Sequence, residues 1–168
     1  MKRDFPSNER PPAFAVYNCI AKGLYEAYYF IDEAGREAGY AVVTAPKEYS
    51  CALLNFFAVM PEMRGGGVGT TALAVLGAQY PDRVMLLEAE DPAHTQNDDK
   101  ASTARRRLAF YNRAGYQTQP TRRAVIFGVP MVIMASGNLP RDEGVRQVMH
   151  ALYKPTLGRA WLRHIDVW

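Results

Sequence analysis

The chain has 168 residues, 48% of them apolar and 22% charged, with a net charge of +3 at neutral pH. That length suits one domain of ordinary size, and that apolar content fills a core, which excludes a disordered chain. The basic residues are dispersed, which excludes a nucleic-acid surface but leaves a mild attraction for phosphate-rich ligands.

Residues 1–12 carry Pro6, Pro11 and Pro12 and read as an extended lead-in; no apolar stretch of signal-peptide type follows Met1-Lys2-Arg3. Pro12 suits the first turn of a helix running to Lys22, with Gly23 as its cap. Tyr25–Ile31, the turn signal Asp32-Glu33-Ala34-Gly35 and Gly39–Thr44 predict a β-hairpin. Cys51–Val59 is nearly all apolar and predicts a central strand. Arg64-Gly65-Gly66-Gly67-Val68-Gly69 predicts a tight loop before a helix over 70–79, and Val84–Glu90 a fourth strand. A polar loop over 91–100 leads to a helix over 102–114, capped by Gly115. Tyr116–Gln119 and Arg122–Ala135 predict the last strands, a hairpin or a broken meander, and the tail two short helices around Pro155. The longest apolar stretch, 124–135, contains Gly128 and Pro130 and is too short to span a bilayer, so no membrane partner is expected. Cys19 and Cys51 read as small buried hydrophobes, implying reduced thiols and a cytoplasmic location. His94, His150 and His164 stand apart, so no metal is expected. The order of elements gives an α/β fold, a mixed sheet with a parallel pair in its middle.

Four glycines in the six residues Arg64–Gly69 need a reason, because glycine is costly in chain entropy. Placed between a strand and a helix, they let peptide N–H groups approach a ligand, and the helix N-terminus adds unsatisfied donors and positive charge. Such a concavity suits a pyrophosphate. It is not a P-loop, since Thr70 and Thr71 follow Gly69 with no lysine. Gly67-Val68-Gly69-Thr70-Thr71-Ala72 also fits the dinucleotide fingerprint, with Glu88 as the ribose acid. Against it, residues 61–64 separate the strand from the glycines, a hairpin precedes the unit, and too few residues follow to complete a doubly wound sheet.

Arg64, Gly67 and Gly69 match Arg-x-x-Gly-x-Gly. With Phe57–Pro61 ahead of it, and with Leu86-Leu87-Glu88 and Ala109–Tyr116 following in order, the sequence resembles the GNAT acetyltransferases over roughly Tyr25 to Ala135. The resemblance implies a GNAT-like mixed β-sheet whose parallel pair, Leu53–Val59 and Val84–Glu90, splays apart to admit acetyl-CoA. It divides the chain into an acetyltransferase domain over 1–136, abbreviated at its N-terminus, and a helical extension over 137–168 that packs on the domain or against a partner in a homodimer.

The activity implied is transfer of acetyl from acetyl-CoA to a primary amine, small-molecule or peptide, by direct attack in a ternary complex. Backbone groups of Ala58 and Val59 would pair with the pantetheine arm and hold the oxyanion. Arg64, Gly65, Gly66, Gly67, Val68, Gly69 and Thr70 would bind or shape the pyrophosphate site, and Asn97 would contact CoA. Arg105–Arg107 read as a solvated helix face or as partners of the 3′-phosphate. Glu88, ending an apolar strand, is the candidate base, because desolvation raises a carboxyl pKa toward neutrality. Glu90 lies on the same face and would attract the substrate amine, while Tyr111 would protonate the departing thiolate. The alternatives are a non-catalytic acyl-CoA-binding module and a small dinucleotide-binding oxidoreductase.

Overall fold

The computed structural model describes residues 11–95, 97–120, 124–139 and 144–168. The expected lead-in falls almost wholly outside them. Helix α1 (Ala13–Ala21) follows Pro12, and strands β1 (Glu26–Ile31) and β2 (Glu37–Thr44) form the expected hairpin. Strand β3 (Cys51–Val59) runs through a 3-10 turn at Pro61–Met63 and the glycine loop into α2 (Val68–Gly77). Strand β4 (Val84–Glu90), helix α3 (Asp98–Arg113) and strands β5 (Gln117–Thr118), β6 (Ala124–Ile126) and β7 (Val129–Ala135) follow. The tail forms α4 (Val145–Leu157), a 3-10 turn over Arg159–His164 and strand β8 (Ile165–Val167). Among the described residues, no helix is long and apolar enough to cross a membrane.

Two boundaries differ from the sequence reading for local reasons. Helix α3 begins at Asp98 because Asn97 caps it, accepting from the amides of Asp99 (2.8 Å) and Lys100 (3.4 Å). Asp98 and Asp99 are then first-turn acids, favourable at the positive helix end, rather than loop residues. In the tail, Pro155 sits inside the last turn of α4 instead of dividing two helices. The chain then closes as an edge strand, β8, paired antiparallel with β6.

The eight strands among the described residues form one sheet in the order β1-β2-β3-β4-β7-β6-β8, with β5 also on β7. The parallel pair, β3 and β4, lies in its middle and is bonded only from Cys51–Leu54 against Val84–Leu87. Beyond those residues the two strands part. The cause lies on the other edge of β3, where Val42 faces Phe56 but Val43 faces Leu54, so that Asn55 is an extra residue. Such a bulge bends its strand and raises the local twist. The Asn55 amide donates to Thr44 Oγ1 (2.8 Å) and to the Leu53 carbonyl (3.1 Å), which holds the bend in place.

The core has three parts. Leu73, Leu76, Met85, Leu87, Ala89 and Tyr111 fill the face under α2 and α3. On the opposite face, Val148, Met149 and Leu152 of α4 pack on Leu53, Leu86 and Ile133. Beside them Val16 and Tyr25 pack on Phe56 and Ala58 under α1. Burying each of these large aliphatic side chains contributes about 2 kcal/mol, so the tail is an integral cover of the sheet.

Candidate active site

The glycine loop joins the splayed end of β3 to α2. Gly65 and Gly67 have φ of +90° and +81°, a region L side chains rarely adopt. Gly69 is required for a different reason: a Cβ there would lie 3.1 Å from Phe110 Cζ and 3.4 Å from Val59 Cγ2. The bare residue lets the first turn of α2 settle against α3. No side chain caps α2, and its first turn closes with Thr71 N–H on the Gly67 carbonyl at 3.1 Å. The amides of Val68, Gly69 and Thr70 therefore precede the helical ladder and point out of its end. Gly65, Gly66, Gly67 and Thr70 are exposed. Arg64 fastens the loop to the strand, its Nε donating to the Val59 carbonyl at 3.0 Å.

Met60 N–H donates to the Ala38 carbonyl at 2.9 Å, opposite it in the β2–β3 ladder. The alternation of an antiparallel ladder then turns the peptide groups of Ala58 toward β2 and those of Phe57 and Val59 toward the gap. Ala58 serves β2 with its backbone and the α1 core with its side chain. A Cβ on Gly39 would run into the Ala58 carbonyl oxygen, so this crossing needs glycine.

Glu88 is the first residue of β4 beyond its bonded stretch with β3. It is half-buried and alternates with Leu86 onto the α4 face. Its carboxyl meets the hydroxyl of Tyr153 on α4, at 2.8 Å from each oxygen. Desolvation pushes its pKa up to about 7, against the lowering effect of the Tyr153 hydrogen bond. A carboxyl poised there exchanges protons at neutral pH. Glu90, half-buried, follows on the same face opposite Met131 of β7. Asp91 is engaged locally, accepting from Ala93 N–H (2.9 Å) and meeting His94 Nδ1 (2.8 Å).

Tyr111 lies on the other face, buried with Leu87 and Ala89, its ring 5.1 Å from Phe110 and 6.0 Å from Tyr116. Burial raises its phenol above the usual 10, a shift that the nearby Arg107 charge opposes. The sheet thus separates Glu88 from Tyr111. Asn97 is occupied as the α3 cap, and Arg105, Arg106 and Arg107 are exposed.

Sequence reasoning missed Tyr153. Its only signal was the apolar spacing Val145, Val148, Met149, Leu152, which places residue 153 on the buried stripe of a helix. It also missed the turn at Phe127, whose ring stands against Tyr153.

The profile of the family described as "Acetyltransferase (GNAT) family" matches residues 1–116. No curated protein matches in sequence. Among solved structures, a protein assigned to the GNAT acetyltransferase family from Bacteroides thetaiotaomicron superposes with a TM-score of 0.76 at 22% identity, covering 94% of this chain and 88% of its own. An acetyltransferase from Bacillus subtilis in complex with CoA gives 0.53 at 16% identity, covering 77% and 86%. The aminoglycoside 6′-N-acetyltransferase from Enterococcus faecium gives 0.54 at 18% identity, covering 78% and 84%. Likeness at such identities speaks to the fold.

Proposed function

The chain belongs to the GNAT acetyltransferase family, and from that premise we propose that it moves an acetyl group from acetyl-CoA to a primary amine by direct attack. The observation that carries this reading is the break in β3–β4 pairing after Leu54 and Leu87, with exposed glycine amides beyond one strand and Glu88 on the other. A CoA-bound relative of the same fold supports the choice of cofactor.

In this reading the pyrophosphate sits on the amides of residues 65–70, where α2 has no cap of its own. The pantetheine lies along Phe57 and Val59, completing the row of peptide groups that β4 leaves unpaired. Arg64 would release the Val59 carbonyl to it or stay as the loop's anchor. The acceptor approaches from the α4 face. Glu88 takes a proton from the ammonium, directly or through a water, and the freed nitrogen attacks the thioester carbon. The Val59 N–H stabilises the oxyanion of the tetrahedral intermediate. Collapse expels the CoA thiolate, the nitrogen gives up its second proton to solvent to leave the neutral amide, and Tyr111, kept protonated by its burial, protonates the thiolate.

The test is thiol release from acetyl-CoA with a panel of primary amines, alongside calorimetric titration with CoA. Saturable release that depends on the amine is expected. Tight CoA binding without release under any amine would reduce the protein to a binding module. Stabilisation by NAD and not by CoA would overturn the reading.

A further inference from the structure

Four rings form a continuous row that ends on Glu88. Tyr153, whose hydroxyl meets both Glu88 oxygens, stands edge-on to Phe127, centroids 6.4 Å apart at 81°. Phe127 lies nearly parallel to the His164 imidazole at 6.2 Å and 21°, and His164 adjoins Trp161 at 5.5 Å. The rings come from α4, the β6–β7 turn and the 3-10 turn of the tail, and the Phe127 N–H ties the last two together through the His164 carbonyl at 2.8 Å. Arg163 Nε lies 3.2 Å from His164 Nε2, which sets the guanidinium at the edge of the imidazole.

Two of the rings face outward, while Tyr153 is buried behind them. Phe127 is 47% exposed and Trp161 54% exposed. Phe127 is also the one non-glycine residue of positive φ among those described, at +50°, followed by Gly128 at +82°. This is the two-residue hairpin turn in which Asn-Gly is favoured, and a large ring at its first position opposes the backbone preference. Folding alone selects asparagine or glycine there. An exposed ring held in a disfavoured conformation points to binding.

We propose that this row is the acceptor-binding wall, and that the acceptor is a primary amine carried on a flat aromatic body, stacked on Phe127 and Trp161 with its ammonium at Glu88. The proposal rests on the reading that Glu88 takes the acceptor's proton. Charge along the row limits the class further. Carboxylates stand at one end, Glu88 with Glu90, while Arg163 stands at the other beside His164. A polycation laid along the rings would bring its second positive charge onto Arg163. One cationic end and one flat apolar end match the wall.

Calorimetric titration of the protein with 2-phenylethylamine and with n-hexylamine tests this without requiring turnover. The aromatic amine is expected to bind about ten-fold more tightly, the scale of one or two stacking contacts. Phe127→Gly and Trp161→Ala should each remove most of that preference. Phe127→Gly should keep the thermal midpoint, because glycine suits φ of +50°. Equal affinities, no binding of the aromatic amine, or a preference intact in both variants would overturn the wall. The acetyltransferase reading fails separately: a preference erased by both variants, with no thiol release, leaves the wall and removes the transfer. Release that is equally fast with hexylamine, without an affinity difference, does the reverse.

Discussion

The two faces of the sheet reach the open end of β3 and β4 with opposite equipment. The α2/α3 face presents peptide N–H groups at an uncapped helix start, with Arg64 beside them and Tyr111 in the packing below. The α1/α4 face presents carboxyl groups, Glu88 and Glu90, and a row of rings. One face suits a polyanion and the other a cation, so the two ligands need not compete for the same donors and can be present together. A ternary mechanism requires that arrangement. It also means that damage to one face should be separable from damage to the other.

The largest separation is expected at Glu88. Glu88→Gln keeps the shape and removes the base, so kcat should fall by about 10²–10⁴-fold, while affinity for CoA stays as it was. The same change should alter stability with a defined sign. A carboxyl whose folded pKa is raised from 4.5 to about 7 favours folding below pH 4.5 and loses that contribution as pH rises through 7. Glu88→Gln should therefore match the parent near pH 4.5 and exceed it at pH 8, by on the order of 3 kcal/mol. Thermal melts of both proteins at the two pH values measure it. Loss of CoA affinity in this variant would join the faces that the structure holds apart.

The converse break is Gly67→Asp. Aspartate tolerates the left-handed conformation of residue 67, and its carboxylate at the N-cap would satisfy the amides offered to the phosphates. CoA affinity should drop by roughly 10- to 100-fold, about 1.4 kcal/mol for each factor of ten, with the melting temperature maintained. Titration with CoA at two salt concentrations reads the effect. Unchanged affinity would show that the loop does not hold the diphosphate.

How far each face can be read from the sequence follows from how local its chemistry is. The glycine loop is contiguous, strand, glycines and helix within residues 51–77, so composition and order were enough to place the unit we propose as the anion site. Glu88 was readable as a carboxylate near the end of an apolar strand, whereas Asn55, the extra residue of the bulge, passed unnoticed inside a nearly apolar run. The other face is built by the tail. Tyr153 meets Glu88 across 65 positions of sequence, and no periodicity specifies that partner. The Phe127-Gly128 turn lacks the Asn-Gly signal, so 116–135 read as a hairpin or a broken meander with no turn placed at residue 127. The start of α3 was placed too late because the Asp-Asp-Lys run after Asn97 looked like loop, although an asparagine followed by acids is also the signature of a helix start.

Tyr153→Phe probes the part the sequence hid. Its hydroxyl stabilises the ionised form of Glu88, and its loss leaves desolvation unopposed. A hydrogen bond to a charged group is worth about 1.5 kcal/mol or more, so the acidic limb of kcat/KM should move up by about one pH unit. At pH 7 the rate falls by up to about ten-fold, and raising the pH should restore it. A loss that no pH restores would make Tyr153 a packing residue only.

The smallest effect expected belongs to Asn97, and it sharpens the contrast between the two helix starts on the α2/α3 face. Helix α3 has its own cap and two first-turn acids, while α2 has neither. A helix end already satisfied by its own side chains has little to give a phosphate, and the carboxylates of Asp98 and Asp99 repel one. Asn97→Ala should therefore lower stability by about 1 kcal/mol, read by urea unfolding, with CoA affinity unaltered. If CoA affinity falls instead, the Asn97 amide must leave the cap to meet the cofactor. The start of α3 would then be a second cofactor contact, and the polarity between the two helix ends would hold only in the empty protein.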